Sequence, residues 1–348
     1  MKTPRRILIS PLDWGLGHAS RIIPLINRYL EQGDNVIIAG SGLSLNLLQK
    51  HFPTLRNIEI PSFKMKYSAG KSQVWAVAKA FPKLVYYSFK EHKALKRIVK
   101  EENIDFIISD NRFGLYHKTL PCAYITHQLM IKLPHPWGFL EPFVAFVHRC
   151  IINKFTECWV PDYEEAERSL AGDLSHPAKL PRNVKYIGAI SRFNELGVRN
   201  CCASESRSKT CFDYAERSQQ SPLGNEELGV RSLALAILSG AEPQRTIFEK
   251  ELLASLQNSS HENIILVQGK IEAEQRKTKV GKITVYNFMS TEELQENILK
   301  ADEIICRSGY SSIMDLYALG KLQNATLIPT PGQTEQEYLA EYISNHIK

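Results

Sequence analysis

Short apolar runs recur along the chain, and each is bounded by charged or turn-forming residues. They occupy residues 6–10, 35–40, 105–109 and 123–126 in the first half, and residues 233–238, 263–268, 283–286, 303–306 and 325–329 in the second half. Continuous apolar runs of this length are typical of parallel strands that are buried on both faces of a sheet. An amphipathic helix is predicted over residues 19–32, so the chain opens with a βαβ unit. The whole pattern predicts an α/β fold.

The chain is long enough for two such domains. Its 348 residues suit two domains of about 100 to 200 residues each. We place one α/β domain at residues 1–190 and a second at residues 233–348. Residues 191–232 are rich in Ser, Arg, Glu and Cys, lack apolar periodicity and contain the sequence ELGVR twice. This composition predicts a linker, an insertion or a disordered segment.

Composition is that of a soluble globular protein, with 43% hydrophobic and 23% charged residues. The formal charge is +6, and the basic residues concentrate in the first half. They suit a polyanionic or membrane-bound partner, or they form a solvated basic surface without a partner. Seven cysteines without a C-x-x-C pair predict reduced thiols. Because the N-terminal apolar run is too short for a secretory signal, we expect a cytoplasmic protein.

A glycine loop and two strand ends carry the candidate chemistry of the first domain. Gly15 and Gly17 follow the first predicted strand, directly before His18, while Asp110 and His127 follow later strands. The carboxyl ends of parallel strands meet at one edge of a sheet, where ligands bind in open α/β folds. We therefore expect His18, Asp110 and His127 to converge. Alternatively, His18 is structural or merely exposed, and Asp110 bonds local backbone in an Asx turn.

A turn and a polar cluster carry the candidate chemistry of the second domain. The turn Arg307-Ser308-Gly309 lies between a strand and a helix, where backbone N–H groups face an anion at the positive helix end. Asp315 lies about two helical turns further on, where a carboxylate can accept hydrogen bonds from ribose hydroxyls. Glu335 and Gln336 offer the mixed donors and acceptors that sugar hydroxyls need. Together these features predict a nucleotide-sugar site.

Neither a bound cofactor nor a metal is expected. The Gly15-Leu16-Gly17 loop lacks the third glycine and the downstream acid of a dinucleotide fingerprint, so NAD is not indicated. No D-x-D carboxylate pair occurs in the sequence, so a metal clamp on a diphosphate is not supported.

The turn and its helix resemble the donor-binding segment of glycosyltransferase family 28, especially the family's N-acetylglucosaminyltransferases of peptidoglycan synthesis. The family pattern is R-S/A-G-x-x-T-x-x-E, then G-x-P, then P...Q. This chain reads RSGYSSIMD from Arg307 to Asp315, followed by Gly320, Pro329 and Gln336. Asp315 replaces the Glu that binds ribose in the family, and Ser312 replaces the Thr. The segment G-x-G-H-A-x-R-x-x-P-L, which starts at Gly15, likewise resembles the family's first loop.

The resemblance implies two doubly wound Rossmann-like domains facing a cleft, the architecture called GT-B. It implies a hexosyltransferase that inverts the anomeric centre without a metal. The sugar, with N-acetylglucosamine as first candidate, would pass from UDP to a hydroxyl of a glycan or lipid-linked acceptor. His18 would act as the base and Asp110 would orient it, because plant sugar transferases of this architecture pair such residues. Gly15, Gly17 and His127 would lie on the acceptor side.

Two further donor contacts follow from the same resemblance. Residues 239–246, with Gly240 and Arg245, occupy the place of the glycine loop that cradles the diphosphate in the family. The Glu242-Pro243 pair replaces small residues there, and Arg245 could compensate for this electrostatically. The Phe288-Met289 pair resembles the segment whose backbone recognises the uracil ring.

Residues 60–100 interleave lysines with aromatic residues. Such a segment could bind nucleic acid, an acidic glycan or a membrane interface, or it could be a core-packed helical pair whose lysines reach into solvent. Because similar lipid-acceptor transferases dock on the membrane through this domain, a peripheral contact at the inner face of the membrane is our hypothesis. A nucleic-acid partner is not expected.

Two other functions stay open at this point. The same architecture serves UDP-sugar hydrolases and 2-epimerases. A non-catalytic sugar-nucleotide-binding subunit is the other alternative, because the loop at residues 239–246 is altered and only about a dozen residues follow Gln336, which leaves little room for the family's closing helix.

Overall fold

The computed structural model describes residues 3–63, 74–193, 232–270 and 272–347. The first half forms a seven-stranded, wholly parallel sheet in the order β3-β2-β1-β4-β5-β6-β7. Its strands are β1 (Arg6–Pro11), β2 (Asn35–Gly40), β3 (Arg56–Glu59), β4 (Phe106–Asp110), β5 (Cys122–Ile125), β6 (Glu157–Val160) and β7 (Val184–Tyr186). Because the order reverses at β1 and β4, the carboxyl ends of these two central strands flank the crevice where ligands bind in such folds.

Helices cover both faces of this sheet. They are α1 (Leu16–Glu31), α2 (Gly42–His51), α3 (Val74–Glu101) and α4 (Glu141–Ile152). Successive side chains of a strand point to opposite faces, so Ile7 and Ile9 pack in the core that includes α1 and α2. Leu8 packs in the opposite core, which includes α3 and the end of α4. The predicted helical pair over residues 60–100 is a single helix within the described residues, and residues 64–73 lie outside them.

The second half forms a six-stranded sheet in the order β10-β11-β9-β8-β12-β13. Its strands are β8 (Leu233–Ile237), β9 (Asn263–Val267), β10 (Lys277–Val280), β11 (Ile283–Tyr286), β12 (Glu303–Arg307) and β13 (Ala325–Ile328), and its helices are α5 (Gln244–Gln257), α6 (Thr291–Lys300), α7 (Tyr310–Ala318) and α8 (Thr334–His346). All described neighbours are parallel except β10, which pairs antiparallel with β11 at the edge. The predicted α/β fold with two doubly wound domains of GT-B type is therefore confirmed.

The last helix, α8, joins the two domains. Leu339 on this helix is fully buried in a core that also contains Leu170 and Leu174 of the first domain. The hydroxyl of Tyr338 accepts a hydrogen bond of 2.8 Å from the backbone N–H of Asp173. Although few residues follow Gln336, the helix that begins at Thr334 itself lies against the first domain.

The predicted linker at residues 191–232 lies outside the described residues except at its two ends. No described helix is long and apolar enough to cross a membrane.

Candidate functional site

The glycine loop after β1 is held in place by its neighbours. A carboxylate oxygen of Asp13 accepts a 3.1 Å hydrogen bond from the backbone N–H of Ser44 at the start of α2. The indole N–H of Trp14 donates to the carbonyl of Phe63 over 3.0 Å. Gly15, the residue before α1, has a φ of 147°, which favours glycine. These contacts fix the point at which α1 begins, and hence the direction of its first turn.

The structure brings together the predicted pair of His18 and Asp110. Nδ1 of His18 lies 3.2 Å from each carboxylate oxygen of Asp110. Asp110 ends β4 and is fully buried, whereas His18 lies in the first turn of α1 and is partly exposed. One ring nitrogen of His18 is therefore next to a buried carboxylate. The side chain of Asp110 is bonded to His18, so an Asx turn is not needed to account for its hydrogen bonding.

Sequence reasoning missed the third member of this cluster, Arg21. Its Nε donates to Asp110 over 2.9 Å, and its Nη2 donates to the other oxygen of the same carboxylate. The same Nη2 lies 3.0 Å from Nδ1 of His18. A spacing of three residues on a helix places His18 and Arg21 on one face, and that spacing was the available signal.

The charges of this cluster govern the pKa of Asp110. Burial would raise it, but the charges of Arg21 and His18 and their hydrogen bonds outweigh burial and lower it to about 2. Asp110 is therefore a carboxylate at neutral pH.

His127 meets Glu335 across the domain interface. Nε2 of His127 lies 2.8 Å from a carboxylate oxygen of Glu335, and the imidazole stacks on the ring of Tyr310 at 4.1 Å. Burial lowers the pKa of His127 against the opposing effect of Glu335. Burial would raise the pKa of Glu335, but His127, His18 and Arg21 outweigh it, so the net change is downward. A residue predicted for the acceptor side thus contacts one predicted for the donor side.

The N-terminal turns of α1 and α7 touch each other. The hydroxyl of Ser311 in α7 donates to the carbonyl of Gly17 in α1 over 3.0 Å. A Cβ added at Gly17 would lie 2.8 Å from that hydroxyl oxygen, whereas one added at Gly309 would meet nothing within 4 Å. Neither helix has an acidic residue in its first turn. The positive ends of two helices, one from each domain, therefore meet, and the Cβ position of Gly309 beside them faces open space, an arrangement that favours an anion.

The rest of the predicted turn is engaged by the protein itself. Arg307 donates to the carbonyl of Pro329 over 2.7 Å, and its guanidinium lies 3.7 Å from the centre of the Phe248 ring. The hydroxyl of Ser308 donates to the carbonyl of Gln336, and the side-chain carbonyl of Gln336 accepts from the N–H of Thr330. These contacts hold β12, β13 and the start of α8 together, and the donor-binding roles of these residues stay predictions.

Asp315 faces the segment that leaves the first domain. One of its carboxylate oxygens accepts a 2.7 Å hydrogen bond from the hydroxyl of Ser191, and the other lies 3.2 Å from Nε of Arg192. Burial raises the pKa of this carboxyl despite the opposing charge of Arg192. Ribose binding by Asp315 stays a prediction, and it would require the carboxylate to exchange or share these partners.

The second glycine loop differs from the expectation that Arg245 supplies free positive charge. Arg245 pairs with Glu242 and also lies 3.4 Å from Glu249. The carboxylate of Glu242 accepts from the N–H of Thr246, in the first turn of α5, over 3.2 Å. The carboxylates of Glu242 and Glu249 therefore offset the positive charge of Arg245. The carboxylate of Glu242 also bonds the N-terminal end of α5, where the family's loop would bind the diphosphate. A Cβ added at Gly240 in this loop would meet nothing within 4 Å, so the space beside that residue is open.

The predicted uracil segment contacts a lysine from the first domain. The N–H of Phe288 donates to the side chain of Asn287, and the carbonyl of Phe288 accepts from Gln275, each over 3.0 Å. Nζ of Lys50 lies 4.3 Å from the centre of the Phe288 ring. The side chain of Met289 packs against the core that also contains Leu170 and Leu174 of the first domain. Recognition of a base here stays a prediction, with Lys50 as an additional neighbour.

No three His, Cys, Asp or Glu side chains come together as a metal-binding group in the part of the chain that the structure describes.

Comparison with known proteins supports the same architecture. Residues 235–348 match the family model described as the glycosyltransferase family 28 C-terminal domain. No curated protein gives a significant match. The match covers the second domain, which contains the turn, Asp315 and the start of α8.

Three similar solved structures are glycosyltransferases by their descriptions. The glycosyltransferase of kitacinnamycin is 14% identical with a TM-score of 0.57, over 99% of this chain and 85% of its own. A UDP-glucosyltransferase from Polygonum tinctorium is 13% identical with a TM-score of 0.56, over 100% and 84%. MurG from Acinetobacter baumannii is 13% identical with a TM-score of 0.52, over 98% and 84%. At such identities the likeness is one of fold, and together with the family match it supports a glycosyltransferase enzyme.

Proposed function

We propose that the protein is an inverting, metal-independent glycosyltransferase that moves a sugar from a UDP-sugar to an acceptor hydroxyl. One observation carries this proposal: the His18 and Asp110 pair lies beside the adjoining N-terminal turns of α1 and α7. A base and an anion-binding position are the two functions that such a displacement needs. N-acetylglucosamine as the sugar and a glycan or lipid-linked acceptor are part of the proposal.

In the proposed reaction, Nε2 of His18 takes the proton of the acceptor hydroxyl while Asp110 holds Nδ1. The acceptor oxygen forms a bond to the anomeric carbon, and the bond from that carbon to the UDP oxygen breaks on the opposite face. The electron pair of the broken bond stays on the diphosphate, whose negative charge grows. Backbone N–H groups at the helix ends near Gly309 stabilise that charge as it develops.

The remaining donor contacts belong to the second domain in this proposal. Asp315 holds the ribose, Gln336 and Glu335 hold sugar hydroxyls, and the Phe288-Met289 backbone holds the base. Because Glu335 contacts His127, a bound sugar would lie close to both domains. Gly240 and Arg245 line the approach to the diphosphate.

Exposed aromatic side chains support the proposed peripheral membrane contact. Phe139, in the 3-10 turn before α4, and Phe143, in the first turn of α4, are 72% and 66% exposed, and Phe146 is also exposed. Phe89 on α3 is exposed as well, and α3 and α4 pack in the same core on one face of the sheet. Aromatic rings beside basic side chains suit the interface of an anionic membrane, so we place the protein in the cytoplasm at the inner face of the membrane.

Co-sedimentation with vesicles tests the membrane contact. Vesicles with and without anionic lipid would be mixed with the wild-type protein and with a Phe139→Ser/Phe143→Ser variant. We expect salt-sensitive binding to anionic vesicles that the variant loses, and equal sedimentation of both proteins would refute the contact.

A thermal-shift panel of UDP-, GDP- and dTDP-sugars tests the donor, because a ligand that binds the folded state raises its melting temperature. Release of UDP would then be measured with and without candidate acceptors. Acceptor-dependent release, lost in His18→Ala with little change in donor affinity, supports transfer. Equal release without acceptor indicates a hydrolase, and binding without any release indicates a non-catalytic subunit.

A further inference from the structure

Nδ1 of His18 faces a donor and an acceptor at the same time. Both oxygens of Asp110 lie 3.2 Å away and can only accept, because this carboxyl is ionised. Nη2 of Arg21 lies 3.0 Å away and can only donate. Arg21 and Asp110 are both almost fully buried, so their charges act on the imidazole with little screening by solvent.

The two neighbours have opposite effects on His18. A carboxylate beside a histidine favours the imidazolium, which carries no lone pair and cannot take a proton from an acceptor. A guanidinium at a similar distance favours the neutral ring. Arg21 acts on His18 in two ways. It binds both oxygens of Asp110 and so offsets the negative charge of that carboxylate, and its own positive charge disfavours a second positive charge on the imidazole.

The other charged groups near His18 come from two elements. His127 follows β5 and Glu335 lies in the first turn of α8, and both interact electrostatically with His18 and with Arg21. They bond each other, and the pKa values of both are lowered, so at neutral pH the ring of His127 is uncharged and Glu335 is a carboxylate. Glu335 therefore acts on His18 in the same direction as Asp110. Among the charged side chains described around His18, Arg21 and Asp110 are in direct contact with its ring.

We infer that Arg21 is a positioning residue that keeps His18 neutral, and therefore able to act as a base, while Asp110 fixes the orientation of the ring. This inference rests on the proposed function for its consequence in catalysis. Its physical content concerns the protonation of His18 alone, which can be measured without any substrate.

Nuclear magnetic resonance of ¹⁵N-histidine protein tests that content directly. The His18 resonances, assigned by their loss in His18→Ala, would be followed against pH in four proteins: wild type, Arg21→Gln, Asp110→Asn and the double variant. We expect the protonation midpoint of His18 to rise in Arg21→Gln and to fall in Asp110→Asn, each by about one pH unit or more. In the double variant the midpoint should return close to that of the wild type.

Arg21→Gln alone leaves the buried carboxylate of Asp110 without its main partner and could destabilise the fold. The double variant removes both charges, so it tests the inference even if the single variant misfolds. Arg97→Gln, which removes an exposed arginine on α3, is the matched control and should leave the midpoint unchanged. A midpoint that stays within about 0.3 pH units across the series would overturn the inference, as would a fall in Arg21→Gln.

The pH–rate profile then links the inference to catalysis. In Arg21→Gln the acidic limb should move to higher pH, and kcat should fall more than KM rises. Arg21→Lys keeps the charge but loses the two-pronged contact, so its limb should stay near that of the wild type while kcat falls. If the midpoint of His18 moves as expected but the protein transfers no sugar, the proposed function fails and the inference about Arg21 stands. If the rate of Arg21→Gln falls equally at every pH and the acidic limb stays at the same pH, the role of Arg21 is structural only.

Discussion

The open space at Gly309 gives the sharpest test of the proposed anion site. Gly309 has a φ of −73° and a ψ of 138°, which alanine adopts without strain. An added Cβ would meet nothing within 4 Å, so Gly309→Ala has no steric cost in the protein alone. At the position before a helix Gly is more stabilising than Ala, whereas Ala loses less chain entropy on folding. Each effect is about 1 kcal/mol or less, so they largely offset each other in the free energy of unfolding.

The same methyl group should interfere with a bound phosphate. A phosphate oxygen accepts from a backbone N–H at about 2.9 Å, whereas a methyl carbon requires about 3.5 Å from its neighbours. We expect the loss of one hydrogen bond to a charged group, which is worth about 1.5 to 3 kcal/mol. The Kd for UDP should therefore rise by about 10- to 100-fold.

Titration calorimetry with UDP measures this change, and thermal unfolding measures the stability of the same samples. Gly138→Ala is the matched control, because Gly138 is exposed and an added Cβ there would approach only Glu141, at 4.0 Å. It should leave UDP affinity and melting temperature unchanged. A Gly309→Ala protein that melts like the wild type and binds UDP within a factor of about two would refute the placement of the phosphate at α7.

Three further predictions concern stability and the domain interface. The lowered pKa of Asp110, about 2, contributes about 2 kcal/mol to the free energy of unfolding above its usual pKa. This contribution is lost as the pH falls towards 2, so the gap in urea midpoint between wild type and Asp110→Asn should be largest at neutral pH and narrow in acid. Gly17→Ala should lower the melting temperature because its methyl meets Ser311, and Ser311→Ala in the same chain should restore part of the loss; no restoration would argue against that contact. Leu339→Ala removes a fully buried side chain and should cost about 2 to 5 kcal/mol, measured by urea unfolding, whereas a loss below about 1 kcal/mol would mean that α8 is poorly packed.

The strands and the central pair could be predicted from sequence because their signals are local. Apolar runs such as residues 6–10 and 105–109 correspond to β1 and β4, since strands buried on both faces need apolar side chains at every position. His18 and Asp110 follow those two strands, and parallel neighbours place their carboxyl ends together. The convergence of the two side chains thus followed from topology alone.

The contacts that sequence reasoning missed depend on groups from different elements. Arg21 looks like an ordinary polar position of α1 until the buried Asp110 is placed beside it. The contact of His127 with Glu335 requires the relative placement of the two domains, which no local pattern encodes. Arg245 is the exception, because Glu249 lies four residues after it in α5, a spacing that predicts an ion pair within one helix. Glu242 lies three residues before it, just ahead of the helix, and is also close along the chain.

The residues proposed to bind the donor already have hydrogen-bond partners within the protein, and this bears on where the binding energy of a nucleotide would come from. Asp315 is bonded to Ser191, the Gln336 side chain to Thr330, and Glu335 to His127. A ligand that binds these groups exchanges one hydrogen bond for another, and the net gain from such an exchange is small. No atom lies within 4 Å of the Cβ position at Gly309, and an anion bound beside that turn would gain from the helix ends. If the proposed function holds, we expect the diphosphate to supply most of the affinity and the proposed contacts of Asp315, Gln336 and Glu335 to select among nucleotides and sugars.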